Sequence, residues 1–358
     1  MHVVLFAHSL LSDWNNVSAP FLRGIVSELV TRGHTVVCYE RRDAASVAAL
    51  LADQGGGPIE AVQRIYPALD VVRYVRATLD LDVALADADL VLVHQSTESE
   101  LIANIGKKRL NGTFRALFHD THYEVSDALD LSAYDGVLVF GNSLREAYLS
   151  QGVRNVWTWH EAADIRVLEP LQTRTQTNVL MKRDLVWIGN WGNDQAASFA
   201  ALVFEPIRHL GLDADVYGVG YPEDVVESLK ASDVRYRGWA AGYTLSEIFA
   251  HFYATLNIPP AGQANVPGVP TLRMYEAMAC GIPLISAPWD DSEGLFTVGK
   301  DYLVAEDTPA MIRRLRDLLS DFEMADALAD QARQTVLAKH TCAHRVDELL
   351  EIYRSLTI

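Results

Sequence analysis

Gly268-Val-Pro-Thr-Leu-Arg-Met-Tyr-Glu-Ala-Met-Ala-Cys-Gly-Ile-Pro-Leu-Ile-Ser286 reads as loop, helix, turn and strand. Gly268 and Pro270 suit a tight entry into a first helical turn, where proline's missing N–H costs nothing. Leu272, Tyr275 and Ala279 recur at helical spacing. Gly281-Ile-Pro283 stops the helix, and Leu284-Ile-Ser286 reads as a buried strand. The free amides near Thr271 and Leu272 make an anion site that the helix dipole strengthens. Arg273 and Glu276 are three apart and share a face. That face offers amides and a guanidinium to phosphate, and a carboxylate to hydroxyls. A nucleotide sugar, with diphosphate beside ribose, needs this combination.

Outward from this stretch the chain alternates strand and helix. Residues 2–7 form an apolar run suited to a strand buried on both faces. A polar loop, 8–18, leads to a helical stripe of Phe21, Ile25, Leu29 and Val30, and 35–39 is the second strand. Strand, helix and strand at this spacing make a βαβ unit with parallel pairing. The first turn holds Asn15-Asn-Val-Ser-Ala-Pro20 in place of Gly-x-Gly-x-x-Gly, which argues against a dinucleotide site. Residues 67–86 are expected to form one helix. Strands are expected at 90–93, 115–118, 136–140 and 153–159, then at 186–188, 214–217, 234–236, 254–258, 284–286 and 302–304. The stretches 160–170 and 172–178 read as a link between the halves. Helical periods fill 308–319, 322–339 and 343–356.

The string 275–283, Tyr-Glu-Ala-Met-Ala-Cys-Gly-Ile-Pro, resembles the donor-binding core of GT-B glycosyltransferases. The longer string 270–305, with Pro288-Trp-Asp-Asp-Ser-Glu-Gly-Leu-Phe296, is similar to the CgeB-like branch of that family, named after a spore-coat maturation protein. The resemblance implies an α/β GT-B fold: two Rossmann-like, doubly wound parallel-sheet domains with a cleft between them. The expected boundaries are 1–163 for the acceptor side, 164–340 for the nucleotide-sugar side and 341–358 for a helix returning to the first domain. In many retaining relatives the segment is Glu-x7-Glu. Glu276 matches the second glutamate, which in the family holds the ribose. The first would fall on Gly268, a departure from the pattern. The resemblance implies a hexosyltransferase that moves a sugar from a nucleoside-diphosphate donor, UDP-sugar favoured, to a small-molecule, glycan or other hydroxyl acceptor.

Glycosyl transfer requires a neutralised leaving diphosphate, an oriented hydroxyl and a stabilised anomeric centre. The first falls to Arg273, Thr271, Leu272 and Gly268. Gly189-Asn-Trp-Gly-Asn193 opens the second half, and Gly189 and Asn190 can let backbone amides approach a phosphate. No Arg or Lys lies between Gly189 and Arg208, which leaves Arg273 as the phosphate cation. Trp239 follows a strand in a turn that lines the base pocket of the resembled fold, and can stack on a base. In the first half His119 and Asp120 end a strand, where open α/β sheets bind ligands. His119, Asp120 and Asp13 are the candidate catalytic group, with His119 able to transfer a proton at neutral pH. His122, His160 and Glu161 are weaker candidates. Removing Glu276 is expected to weaken nucleotide binding and leave the stability of the empty protein nearly unaltered.

Composition sets the remaining bounds. The 358 residues suffice for two domains, and 49% hydrophobic with 22% charged is an ordinary globular balance. A net charge of -17 gives no general attraction to nucleic acid or anionic membrane. It also repels a diphosphate at long range, so the site must carry its own positive potential. Asp80-Leu-Asp82, Asp87-Ala-Asp89 and Asp213-Ala-Asp215 have metal-motif spacing but fit solvated acids, and no metal or other cofactor is expected. Three cysteines give neither a disulfide framework nor a metal spacing. The chain opens on a strand without a basic leader, which predicts a cytoplasmic enzyme. An epimerase of the same fold, and a non-catalytic nucleotide-sugar-binding or coat-maturation protein, are the alternatives. The oligomeric state is not legible.

Overall fold

The computed structural model describes residues 1–125, 129–168 and 182–357; part of the expected link, 169–181, lies outside them. The chain forms two compact units, Met1–Glu161 with Cys342–Ile358, and Ala162–Thr341.

The first unit is built on a seven-stranded parallel sheet in the order β3-β2-β1-β4-β5-β6-β7. Its strands are β1 His2–Phe6, β2 Thr35–Arg41, β3 Asp70–Tyr74, β4 Leu90–His94, β5 Arg115–Asp120, β6 Gly136–Val139 and β7 Val156–Thr158. Every residue of β4 is buried, as its unbroken Leu-Val-Leu-Val run requires of a strand with both faces covered. The helix Ala19–Thr31 turns Phe21, Leu22, Ile25, Val26 and Leu29 inward. It packs against the last helix, Cys342–Thr357, whose Val346 and Leu349 are fully buried. Trp159 Nε1 donates to the Arg345 carbonyl at 2.8 Å, tying the strand end to that helix.

One expectation fails here. Residues 67–86 are not one helix: they form β3, a short 3-10 turn at Arg76–Thr78 and the helix Leu81–Leu85. The β-branched pair Val71 and Val72 suits the pleat, and β2 was available to pair with it from Val37 to Arg41. Asp80 then starts the short helix by accepting from the amides of Asp82 and Val83.

The second unit carries a six-stranded parallel sheet in the order β10-β9-β8-β11-β12-β13. These are β8 Arg183–Ile188, β9 Ala214–Tyr217, β10 Arg235–Gly238, β11 Phe252–Asn257, β12 Leu284–Ser286 and β13 Leu303–Val304. One face packs Leu185, Trp187, Val216, Ala254, Leu256 and Ile285 against Val203, Ile207, Leu229 and Leu315. The expected C-terminal helical periods are the helices Thr308–Ser320, Phe322–Lys339 and Cys342–Thr357. No helix among the described residues is long and apolar enough to cross a membrane.

Candidate functional site

All pairs in the second sheet are parallel, so the C-terminal ends of its strands share one edge. Most of the expected donor residues sit on that edge. Gly189 and Asn190 follow β8, and Trp239 follows β10. They are linked through Gly218, whose amide donates to the Gly238 carbonyl at 2.7 Å, and through Val219, whose amide donates to Asn190 Oδ1 at 3.1 Å. Gly218 must be glycine. Its φ is +145°, and a Cβ there would stand 1.9 Å from the Gly189 carbonyl oxygen. Trp187, Trp191, Phe199, Tyr221 and Tyr236 pack as an aromatic cluster beneath this loop. Trp187 Nε1 donates to Tyr221 Oη, which donates to the Gly189 carbonyl, so the backbone path of Gly189 is held from below.

The helix Leu272–Cys280 starts on the same edge. Eight of its nine residues are buried, leaving Arg273 to reach outward. Gly281 ends it in the left-handed region at φ +74°. At its N-terminus Thr271 does not cap: Thr271 Oγ1 donates instead to Asn257 Oδ1 at 2.6 Å. Asn257, the last residue of β11, passes the contact on through Nδ2 to Ser286 Oγ at 2.9 Å. Side-chain bonds thus pin the helix start to the ends of β11 and β12. The amides of Leu272 and Arg273 have no upstream helical carbonyl, and the Thr271 side chain does not cap them. Arg273 Nη1 lies 2.8 Å from Glu276 Oε2, with the glutamate side chain only 4% exposed. This corner offers two amides, a helix dipole and a guanidinium on one side, and a nearly dry carboxylate one turn further in. Such a corner can hold a diphosphate and accept hydroxyls beside it.

Gly268 enters this loop at φ +78°. Its amide donates to the Asp290 carbonyl at 2.8 Å, and the Gln263 side-chain amide donates to the Pro270 carbonyl at 3.0 Å. Asn257 and Gln263, both buried polar residues, carry no motif of their own and were not legible in the sequence. Their positions at a strand end and just before the Gly268 loop are the only signal.

The first-unit candidates lie at the end of β5 and in the loop after β1. Asp120 is buried and accepts from Tyr148 Oη at 2.5 Å, from the His122 amide at 3.0 Å and, with the His122 ring, shares a 2.9 Å contact. Asp13 is paired at 2.5 Å with Arg23, whose side chain is completely buried. His160 Nδ1 lies 2.9 Å from the Phe140 carbonyl, and Glu161 is buried. His119 is fully enclosed by the rings of Phe21, His94 and Trp159. Neither of its ring nitrogens has a hydrogen-bond partner among the described residues. Burial, with His94 adding to it, holds its pKa well below the ordinary histidine value, and burial likewise lowers His94 to about 3. His119 is therefore neutral at physiological pH. Among the described residues no group of three or more His, Cys, Asp or Glu has the arrangement of a metal site.

The family described as Glycosyl transferase-like matches residues 198–351. No curated protein sequence matches the chain. In structure the chain is similar over its whole length to several solved proteins. The sucrose-phosphate synthase of Thermosynechococcus elongatus shares 14% identity at a TM-score of 0.70, covering 100% of this chain and 99% of that one. The HepE protein of Anabaena in complex with UDP shares 12% identity at 0.68, covering 99% and 100%. An alpha-glucosyltransferase in complex with UDP and a 13-mer DNA containing an HMU base shares 13% at 0.73, covering 99% of each. The chain has the GT-B fold and carries a glycosyltransferase-like domain over residues 198–351.

Proposed function

We propose that this glycosyltransferase takes its sugar from a nucleoside-diphosphate donor bound at the C-terminal edge of the second sheet, UDP-sugar favoured. The carrying observation is the corner at Thr271–Glu276, where uncapped helix amides and Arg273 stand beside a nearly dry carboxylate. In this reading Arg273 and the amides of Leu272 and Arg273 hold the diphosphate, and Glu276 accepts the ribose hydroxyls. Thr271 fixes the helix start, Gly268 lets the loop approach, Gly189 and Asn190 supply backbone contacts, and Trp239 stacks on the base. UDP in the solved relatives favours uridine. The first unit receives the acceptor hydroxyl, with His119, Asp120 and Asp13 as the acceptor-side group. The chain is assigned to the CgeB-like branch on the 270–305 string, and the transfer a retaining outcome on the match of Glu276 to the second glutamate of the retaining pattern. A cytoplasmic setting suits its three buried cysteines, Cys38, Cys280 and Cys342, none of them in a disulfide among the described residues.

Thermal-shift and calorimetric titration with UDP-, GDP-, ADP- and dTDP-glucose tests the donor. A ligand at a hundred times its Kd adds about 2.7 kcal/mol to stability, a shift that is easily read. The UDP-sugar is expected to give the largest shift, and no shift with any of the four would overturn the reading.

Because fixed dipoles and Arg273 carry the charge of the leaving group, transfer is expected to survive EDTA. Activity lost on chelation and restored by manganese or magnesium would reverse that assignment.

A further inference from the structure

Thr271 stands at the N-cap of the helix Leu272–Cys280, where a threonine hydroxyl ordinarily accepts a hydrogen bond from the second or third helical amide. Here it makes no such bond, and Oγ1 donates to Asn257 Oδ1 at 2.6 Å. A β-branched side chain has few χ1 choices, and the one that reaches Asn257 is not the one that caps.

The partner that diverts Thr271 is itself fixed. Ser286 Oγ donates its one proton to the Ala287 carbonyl at 2.7 Å, so toward Asn257 it can only accept. Asn257 Nδ2 supplies that bond at 2.9 Å, which leaves Oδ1 as the end that faces Thr271. The Ala287 amide donates back to the Asn257 carbonyl at 2.8 Å and closes the ring. Asn257 and Ser286 sit opposite each other at the ends of β11 and β12, 3% and 0% exposed. A buried carboxamide bonded at both ends keeps its oxygen in place for the threonine.

We propose, resting on the donor reading above, that Asn257 is a positioning residue for the donor: it holds the Thr271 hydroxyl off the helix and so keeps the first amides open to the diphosphate. A threonine released from Asn257 would cap the helix. A phosphate oxygen would then have to displace an acceptor already bonded to the amides it needs. Loss of Asn257 therefore acts through the Thr271 hydroxyl, and removing that hydroxyl as well should reverse it. A residue that merely braced the strand ends would show no such reversal.

The test is calorimetric titration of UDP, with uridine as the phosphate-free control, on wild type, Asn257→Ala, Asn257→Leu and Asn257→Ala combined with Thr271→Val. The single variants are expected to weaken UDP about fivefold, the weight of one cap bond, and to leave uridine nearly unchanged. The double variant is expected to recover most of that loss, a non-additivity that identifies the two residues as one device. Asn257→Leu keeps the side-chain volume, so the comparison stands even where the alanine variant folds poorly. A double variant no better than Asn257→Ala would overturn the proposal. So would unchanged UDP affinity in the single variants, or UDP and uridine weakened by one common factor. Wild type that binds none of the UDP, GDP, ADP or dTDP forms would instead remove the donor reading, and this assignment with it.

Discussion

Glu276→Gln is expected to weaken the binding of UDP about ten- to a hundredfold. The carboxylate is 4% exposed and sits 2.8 Å from Arg273, so a ligand hydroxyl that reaches it makes a bond little diluted by water. A hydrogen bond to a charged group contributes about 1.5–3 kcal/mol, and each 1.4 kcal/mol is about tenfold in Kd. Glutamine keeps the volume and one acceptor and removes the charge. Burial changes what the shorter variant reports. Glu276→Ala leaves Arg273 without its partner beside a new void, so a loss of stability is expected there, in place of the unaltered melting temperature that the sequence alone suggested. Arg273, about a quarter exposed, can turn to solvent, which keeps that loss below the roughly 3–5 kcal/mol of a fully buried pair. Calorimetric titration beside melting curves decides the matter. Unchanged UDP affinity in the glutamine variant would make Glu276 a structural residue.

The second large effect belongs to His119. His119→Phe is expected to raise the stability of the first unit while lowering kcat about a hundredfold or more. The ring lies within 4.9–6.1 Å of Trp159, His94 and Phe21, a nest that a phenyl ring fits. Its two nitrogens are desolvated without hydrogen-bond partners among the described residues, a state that costs about 1–3 kcal/mol per group and that phenylalanine abolishes. Proteins rarely keep such a cost for packing alone, and a substitution that stabilises while inactivating is the mark of a group kept for activity. A positioned hydrogen-bonding group is worth about 10²–10⁴ in rate. Full turnover in the phenylalanine variant would confine His119 to the core.

The same burial fixes a pH response. Folded-state pKa values of His94 and His119 lie below the unfolded value near 6.5. Their contribution is complete above that pH, and is lost as the pH falls because the unfolded chain takes up protons first. For His94, whose folded value is about 3, the loss is about 1.4 kcal/mol for each pH unit below 6.5. His119→Phe should therefore flatten the decline of stability between about pH 6.5 and 5.

The helix–turn–strand unit at 268–286 was legible because each step has a local chemical cause: proline entry, helical apolar spacing, glycine exit. The same held for the parallel strands, whose unbroken apolar runs admit few other folds. The stretch 67–86 was misread because its Val71-Val72 strand depends on β2, a partner more than thirty residues away through the Val37–Asp70 pairing. The Arg273–Glu276 face could be read from spacing within one helix. Asn257 could not, since it matters through what it touches, the Thr271 hydroxyl. His119 was legible as a strand-end residue, but its neutrality comes from three rings brought in by Phe21, His94 and Trp159, and no local pattern encodes that enclosure.

The last helix, Cys342–Thr357, is part of the first unit, and the second unit begins and ends side by side where the Ala163 amide meets the His340 carbonyl at 3.0 Å. The second unit is thus an insertion spliced into the first. During synthesis it has all its strands before the first unit has its closing helix. Until residue 342 onward leaves the ribosome, the apolar side of Ala19–Thr31 lacks its cover and the Trp159 indole lacks its acceptor. The part of the chain made first is the part finished last, and a truncation of the final seventeen residues, Cys342–Ile358, would damage the first unit and spare the second.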